Sequence, residues 1–562
     1  MGSENGITAD SKPEPNFSPV AIWWAVWGFA WTVVVVAGMV YLIRRRNTPI
    51  LRVRSLALSL CAMTLLHLYW ISCQYALMYG PLMPGDGQYW VMGTYLPCGL
   101  ALFHGANSYF LHVAKLQRKY AKYSFLLDSN PDAKRKQGTG LIARFRRLDY
   151  TMKLVVLVGF GMVFQVFLTL LMWLISRKYH SSWGIPGTEV HGTEMEQKTE
   201  QGRGWEWWPG VFWQFVWSWV VAPVILWNAR HIRDTQGWRV QTIGCAISGL
   251  PATPMWLIAL YIPAMEVVNS VWIPPQWIAL SIFFMDIFTV LLPCWEVFRH
   301  QTLRKETLDA IKQWEMRTKG AGSDTKSLGS TATMVDSMMS GWKSNSSDSA
   351  ISDSSARESI LNMSALEYVL ERNPTPLQRF SALNDFSGEN VAFLTSIAEW
   401  KATLPKAVRE GVDASDDESK EAVREAFNRA LYIYAEFVSA RHATFPVNIS
   451  SQVLKKLENV FETPACILYG ADTGESNPIT PFNNAAVASP TYSDFSESSV
   501  AAIMNRAQYM GEISRGFNAS VFDEAEHSIK YLVLTNTWPK FVQRRRASTD
   551  SLETLQSSTE QV

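Results

Sequence analysis

The chain has 562 residues, a formal net charge of +1 and 48% hydrophobic residues. This length exceeds that of one ordinary domain, so at least two units are expected. Apolar residues dominate about the first 300 positions and polar residues the rest; no compact basic domain is visible, which excludes a nucleic-acid-binding protein. The six cysteines form no CxxC pair and no metal-binding spacing, so no metal or other cofactor is expected.

The first elements are an N-terminal segment, residues 1–19, and a transmembrane domain over residues 20–298. A membrane-spanning helix needs about 20 apolar residues, because the hydrocarbon layer offers no water to its backbone. Seven stretches satisfy this condition: 20–43, 55–79, 90–114, 154–176, 208–229, 240–263 and 277–298. Pro223, Pro251 and Pro254 interrupt the fifth and sixth stretches, but packed membrane helices tolerate proline.

The loops between these stretches predict an orientation. Nineteen lysines and arginines lie in the first, third and fifth loops, against four in the second, fourth and sixth. Because basic loops stay in the cytosol, residues 1–19 should be extracellular and the C-terminus cytoplasmic. We expect a multi-pass protein of the plasma membrane, with an endomembrane as the alternative.

Several polar residues fall inside the predicted spans, among them Asp286, His104 and Asn107. An ionisable group in the hydrocarbon layer costs about 2–4 kcal/mol and should face the bundle interior or a cavity. Under one hypothesis these residues form an intramembrane site for an extracellular small molecule or an ion. Under the other, Asp286 is a hydrogen-bond anchor between helices.

Beyond the last span, residues 299–319 predict a charged amphipathic helix, which either extends the seventh span or lies on the inner membrane face. Residues 320–358 are rich in serine and predict a disordered linker, because such a segment cannot bury enough apolar surface to offset the entropy of ordering.

From residue 359 to residue 543 the pattern is that of a globular helical domain, and five sequence blocks stand out. They are an apolar helix with a Glu-Asn pair at 377–394, Ile-Tyr-x-x-Phe within 430–438, Val-Asn-Ile within 445–450, Phe-Asp-x-Ala within 521–525, and Thr-Trp-Pro-Lys-Phe at 537–541. In this order they resemble the regulator-of-G-protein-signalling (RGS) domain family. Two insertions interrupt the resemblance, near 406–420 and 470–500.

The resemblance implies an all-α RGS domain that binds the Gα subunit of a heterotrimeric G protein. RGS domains accelerate GTP hydrolysis by Gα without a catalytic residue of their own, so the chain would be a GTPase activator and not an enzyme. The positions that match the family's Gα contacts are Glu389, Asn390, Asn448, Leu532, Asn536 and Lys540. Asn536 stands where Asp is usual and Lys540 where Arg is usual, and Lys cannot reproduce the planar Arg fork.

The last segment, residues 544–562, predicts a disordered tail. Its Arg544-Arg545-Arg546 run precedes Ser548 at the spacing of a basophilic kinase site, so Ser548 is a candidate for phosphorylation. The same basic run would also bind anionic lipid, and a phosphate on Ser548 would weaken that contact.

Together the elements predict an all-α chain: a seven-transmembrane helical bundle followed by a cytosolic RGS domain. This plan resembles the seven-transmembrane RGS proteins of fungi and plants. It implies a membrane-anchored negative regulator of G-protein signalling, whose partners are Gα and the lipid bilayer; control by an extracellular small molecule at the bundle is an open hypothesis. The alternatives are a Gα-binding scaffold or effector without GTPase acceleration, and a transporter or channel with an appended regulatory domain.

Overall fold

The computed structural model describes residues 7, 11–52, 54–121, 145, 148, 150–180, 183–320, 335, 360–410, 417–469 and 508–545. Within these ranges the chain is helical and has no β-strand, which agrees with the predicted all-α class. The chain divides into a first unit, residues 1–113 and 150–298, and a second unit, residues 114–149 and 299–562. Most of the predicted linker, the 470–500 insertion, residues 411–416 of the acidic insertion and Ser548 lie outside the described ranges.

The first half of the chain contains long apolar helices joined by short ones. In chain order the α-helices are α1 (Pro19–Arg44), α2 (Pro49–Arg52), α3 (Leu56–Tyr79), α4 (Gly87–Gln117), α5 (Tyr150–Ile175), α6 (Glu194–Gln201), α7 (Trp208–Phe215), α8 (Ala222–Ala229), α9 (Trp238–Gly249), α10 (Ala252–Tyr261), α11 (Glu266–Asn269), α12 (Pro275–Asp286) and α13 (Leu292–Gly320). Single 3₁₀ turns lie at Gly80–Leu82, Arg118–Ala121, Trp205–Trp207 and Pro263–Met265.

Six helical segments are long and apolar enough to cross a membrane. They are Pro19–Arg44, Leu56–Leu82, Tyr150–Ile175, Trp205–Ala229, Trp238–Tyr261 and Pro275–Gln313, and they match six of the seven predicted spans. The remaining predicted span, 90–114, lies within α4, which is 31 residues long but carries polar side chains such as His104, Asn107 and His112. The chain thus has the helices of a membrane protein, and the seventh span and the orientation remain predictions.

The sequence explains where α1 begins and where the later helices deviate. Ser18 caps α1, since its Oγ accepts a hydrogen bond from the backbone N–H of Ala21 at 3.4 Å and Pro19 follows at the first helical position. Two segments, Val216–Val221 and Ile287–Leu291, form π-helical turns. Each ends two positions before a proline, Pro223 and Pro293 respectively. Proline removes one backbone donor and crowds the preceding turn, which accounts for the widened turn at both places.

A large buried cluster joins helices of the first unit. Leu66 and Trp70 of α3, Trp256 of α10 and Ile282 of α12 belong to it, and each is at most 2% exposed. In lipid, tight packing and interhelical hydrogen bonds rather than exclusion of water hold such helices together.

The second unit is built from shorter helices. Beyond the C-terminal part of α13 these are α14 (Met363–Arg372), α15 (Thr375–Phe380), α16 (Gly388–Ala402), α17 (Lys406–Glu410), α18 (Asp417–Ile433), α19 (Ser451–Tyr469), α20 (Asp523–Thr535) and α21 (537–545), with π-helical turns at Ser381–Asp385 and Tyr434–Val438.

Aromatic side chains form the core of the second unit. The ring of Phe393 on α16 lies 5.9 Å from that of Phe437, and the ring of Phe461 on α19 is stacked 5.5 Å from that of Phe522. All four rings are fully buried, so they exclude water from the centre of the domain. Trp538 is buried as well and donates its indole N–H to the carbonyl of Ile360 at 2.9 Å, which joins α21 to the start of the domain.

Candidate functional site

Glu389 and Asn390 lie in the first turn of α16, directly after a tight reversal of the chain. Phe386 adopts a left-handed conformation with φ of 52°, and the backbone N–H of Ser387 donates to the carbonyl of Ser381 at 2.9 Å. A bulky residue in this conformation is strained, so the surrounding contacts must fix it. The reversal therefore holds the Glu389–Asn390 pair in one place at the head of the helix.

A buried carboxylate, Asp385, fixes that reversal. Its Oδ1 accepts from Lys540 Nζ at 2.7 Å, and its Oδ2 accepts from the hydroxyls of Thr537 at 2.9 Å and Ser387 at 2.9 Å. Asp385 is 2% exposed. Through this carboxylate the turn before Glu389 is joined to the start of α21, which carries Thr537 and Lys540, although the two lie about 150 residues apart in the sequence.

The environment of Asp385 controls its charge. Burial alone would raise the pKa of the carboxyl group, but Lys540 and the hydrogen bonds from Lys540, Thr537 and Ser387 outweigh burial and lower the pKa below its ordinary value of 3.8. Asp385 is therefore ionised at neutral pH and forms a buried ion pair with Lys540.

The remaining predicted Gα contacts differ in exposure. Asn448 is exposed in the turn that precedes α19, where the backbone N–H of Val447 donates to Phe437 O at 2.8 Å. Leu532 is half-buried on α20. Asn536 is 6% exposed, and its Oδ1 lies 2.5 Å from Nε2 of His300. Asn390 is also 6% exposed, and among the described residues its Oδ1 has no hydrogen-bond partner.

Glu389 is engaged by a segment from the other end of the second unit. Nε2 of Gln117 donates to Glu389 Oε2 at 2.9 Å, while Oε1 of Gln117 accepts from the backbone N–H of Gly388 at 3.0 Å. Gln117 is 1% exposed. A side chain of the chain itself thus occupies the hydrogen-bonding groups at the head of α16.

The predicted intramembrane residues occupy two different places in the first unit. Asp286 is fully buried, and its Oδ2 lies 3.0 Å from His67 Nδ1 and accepts from Trp31 Nε1 at 3.2 Å. His67 Nε2 in turn lies 3.1 Å from Thr32 Oγ1. These four residues, the Asp286 cluster, connect α1, α3 and α12 by hydrogen bonds; within the described ranges the other carboxylate oxygen, Asp286 Oδ1, has no hydrogen-bond partner.

His104 and Asn107 instead line a cavity of about 50 Å³, which Asp286 does not line. The imidazole of His104 stacks on Trp217 with ring centroids 5.1 Å apart, and Gln214 Oε1 accepts from Thr253 Oγ1 at 3.0 Å. Among the described residues, His104 Nδ1 and Gln214 Nε2 have no hydrogen-bond partner. About 15 Å³ holds one water molecule, so this cavity has room and polar groups for a few waters.

One set of side chains in the described ranges could approach a metal ion, namely His442, Glu462 and Cys466, whose ligand atoms lie within 4.8 Å of one another. Glu462, however, already accepts from Tyr434 at 2.5 Å and pairs with Arg441 at 3.2 Å. A cation at hydrogen-bond distance disfavours a second cation, so this group acts as a hydrogen-bond junction.

Sequence reasoning did not identify Asp385, Thr537 and Gln117 as parts of the site. The signal for Asp385 was its position as the only acidic residue in the run from Leu377 to Gly388. Gln117 gave no signal, because it lies three residues beyond a predicted span and contacts residues about 270 positions away.

Comparison of the chain with models of protein families, with characterised proteins and with solved structures gives no match. The assignment of function therefore rests on the residues and their geometry.

Proposed function

We propose that the second unit is an RGS domain, that it binds the switch segments of a membrane-bound Gα subunit, and that it accelerates hydrolysis of the bound GTP. The whole chain would then be a membrane-anchored negative regulator of G-protein signalling at the plasma membrane. The observation that carries this proposal is the buried Asp385, which joins the turn before Glu389 and Asn390 to the start of α21, which follows Asn536 and carries Lys540.

A rigid surface is what this mode of action requires. GTP hydrolysis by Gα depends on the position of the attacking water and on charge stabilisation by mobile switch segments. A partner without a catalytic group can accelerate the reaction only if it binds the transition-state arrangement of those segments most tightly. Contacts from two distant turns that are locked together by a buried ion pair satisfy that condition better than independent loops.

Asn448 is the residue best suited to reach the reacting centre. It is exposed at a turn, while the neighbouring Val447 is anchored through its backbone. Its amide can donate and accept hydrogen bonds at the same time, so it can orient a glutamine side chain of Gα that itself positions the water.

The membrane half would contribute to this function by holding the second unit near its partner. Six apolar helices on the same chain would keep the second unit at the membrane surface. Two proteins held at one surface meet at a raised effective concentration, so modest affinity for a lipid-anchored Gα would be sufficient.

The test is binding of the full chain, reconstituted in lipid nanodiscs, to a Gα subunit in different nucleotide states. Binding should be at least about tenfold tighter to Gα with GDP and aluminium fluoride, which mimics the transferring phosphoryl group, than to Gα with GDP alone. Asn448→Ala should remove this preference, and Lys456→Gln, which disrupts only the exposed pair with Glu524, should retain it. Absence of binding to every nucleotide state would overturn the proposal.

A second candidate function, a Gα-binding scaffold without GTPase acceleration, is favoured by one observation. Lys540 and Asn536 both have partners within the chain, Asp385 and His300. These contacts engage two side chains that the resemblance assigns to the binding of Gα. Equal affinity for the GDP state and the aluminium fluoride state would favour the scaffold over the activator.

A further inference from the structure

We propose that residues 117–120 are an autoinhibitory segment, which docks on the Gα-binding surface of the second unit and must leave before Gα binds. This inference rests on the proposed function and names the regulation of the same site. The segment begins three residues after the third predicted span, 90–114, and in the structure it comprises the last residue of α4 and the first three residues of the 3₁₀ turn Arg118–Ala121. All its contacts described below are internal to the second unit.

Gln117 holds the head of α16 by two hydrogen bonds. It accepts from the backbone N–H of Gly388 at 3.0 Å and donates to the carboxylate of Glu389 at 2.9 Å. The N–H groups of a first helical turn have no partner within the helix and are available to a ligand. The side-chain amide of Gln117 therefore occupies groups that a switch segment of Gα would use.

Tyr120 anchors the segment. Its side chain is fully buried, and its ring centroid lies 6.1 Å from that of Phe437 and 6.2 Å from that of Phe445. Its carbonyl accepts from Nε2 of Gln378 at 2.9 Å. Phe445 is three residues before Asn448, so the anchor lies beside the turn that holds the proposed key residue.

Charge completes the docking. Lys119 Nζ lies 2.6 Å from Glu436 Oε1, and the hydroxyl of Tyr120 donates to the same oxygen at 3.3 Å. Both partners of the ion pair are largely shielded, with 31% of the Lys119 side chain and 19% of the Glu436 side chain exposed. A shielded pair of this kind is sensitive to reversal of one charge.

These contacts and Gα binding exclude each other at Glu389. With the segment docked, Gln117 engages Glu389 Oε2, and Tyr120 packs so closely on the head of α16 that a Cβ added at Gly388 would lie 2.8 Å from Tyr120 Cβ. The apparent affinity for Gα therefore falls in proportion to the fraction of molecules in which the segment is docked. Because the segment continues the third predicted span, a change in the membrane half has a covalent route to that fraction.

The experiment measures single-turnover GTP hydrolysis by Gα against the concentration of the full chain in nanodiscs. Lys119→Glu should lower the concentration for half-maximal acceleration at least fivefold and leave the maximal rate unchanged, because only the docked fraction changes. Glu436→Lys should act in the same direction, and the double variant Lys119→Glu with Glu436→Lys should return to the wild-type value. A general loss of structure would not reproduce this restoration.

Three further variants complete the design. Lys456→Glu reverses the charge of an exposed lysine whose pair with Glu524 lies elsewhere in the second unit, and it should behave as wild type. Tyr120→Ala removes the anchor without altering charge and should also lower the half-maximal concentration. Asn448→Ala added to Lys119→Glu should abolish the acceleration.

The outcomes separate the two proposals. If the wild type and Lys119→Glu accelerate hydrolysis at the same concentrations, the autoinhibitory segment is wrong and the proposed function stands. If neither protein accelerates hydrolysis or binds the aluminium fluoride state of Gα, the proposed function is wrong. The segment then has no activity to inhibit.

Discussion

Lys540 has a partner that its place in the sequence does not reveal. The resemblance assigns its position to a contact with Gα, and in the structure the ammonium group forms a buried ion pair with Asp385. The side chains are 12% and 1% exposed, so removal of one partner leaves a charge without compensation in a shielded place. Lys540 thus has a structural role within the chain itself.

We expect Asp385→Ala to destabilise the second unit by about 3–5 kcal/mol, because Lys540 would stay buried without a counter-charge. Hydrogen–deuterium exchange of the amides in α16 and α20, measured on the full chain, gives this free energy. Glu524→Ala, which removes an exposed partner of Lys456, is the matched control and should cost less than about 1 kcal/mol. Equal effects of the two variants would contradict the role given to Asp385.

The depressed pKa of Asp385 predicts a dependence of stability on pH. Since the pKa is lowered in the folded chain, this carboxylate stabilises the fold above its unfolded pKa, and the contribution is lost as the pH falls through the folded value. The urea midpoint of the second unit should therefore decrease as the pH drops below about 4. Asp385→Asn should decrease the midpoint at neutral pH and flatten the acid dependence; an unchanged slope would contradict the assignment.

Residues at the site were predictable only where a family pattern or a local signal exists. The Glu389–Asn390 pair and Asn448 stand in blocks that a sequence can match. Asp385, in contrast, acts through partners 152 and 155 positions away, and no local pattern encodes that distance. The conformation of Phe386 was likewise unexpected, because the residue type normally avoids it.

Hydropathy predicted the positions of whole helices more closely than the sequence predicted the residues of the candidate site. The predicted spans 20–43 and 55–79 correspond to helices Pro19–Arg44 and Leu56–Tyr79. The prolines in the sequence indicated where a long helix is interrupted. Pro251, for example, lies between α9 and α10. Hydropathy does not predict partners between helices. It shows that Asp286 lies in a predicted span, but not that His67 and Trp31 form hydrogen bonds with its carboxylate.

The Asp286 cluster predicts coupling between helices. If it is an anchor, Asp286→Asn and His67→Ala should each destabilise the first unit, and a double-mutant cycle should give a coupling energy of about 0.5–1.5 kcal/mol. Thermal unfolding in bicelles measures this. Ser72→Ala is a suitable control, since its hydroxyl bonds only the carbonyl of Leu68 in its own helix at 2.7 Å. Additive effects, or a gain of stability on Asp286→Asn, would instead favour a functional intramembrane site.

At the scale of the whole molecule, the prediction that is simplest to test is orientation. The excess of basic residues in alternate loops predicts an extracellular second loop and a cytosolic C-terminus. In intact cells Met83→Cys, which is 45% exposed, should react with a membrane-impermeant maleimide. Arg545→Cys should react only after permeabilisation, and the unsubstituted chain gives the background of the native cysteines. The reverse pattern would place the second unit outside the cell and remove Gα as its partner.

The proposed regulator combines a membrane half and a helical domain in one chain. One chain would hold the activator at the membrane, present a surface fixed by Asp385, and cover that surface with residues 117–120 until it is needed. Composition predicted the two halves. The covering contact was not predictable, because it joins residues about 270 positions apart that belong to different predicted elements.

The most direct test of the central claim is the single-turnover rate of GTP hydrolysis by Gα with saturating full-length chain in nanodiscs. We predict a rate at least about tenfold above that of Gα alone, and a return to the unstimulated rate with Asn448→Ala, since a transition-state contact would be lost. An unstimulated rate with the wild-type chain, across the Gα subunits of the same organism, would contradict the account.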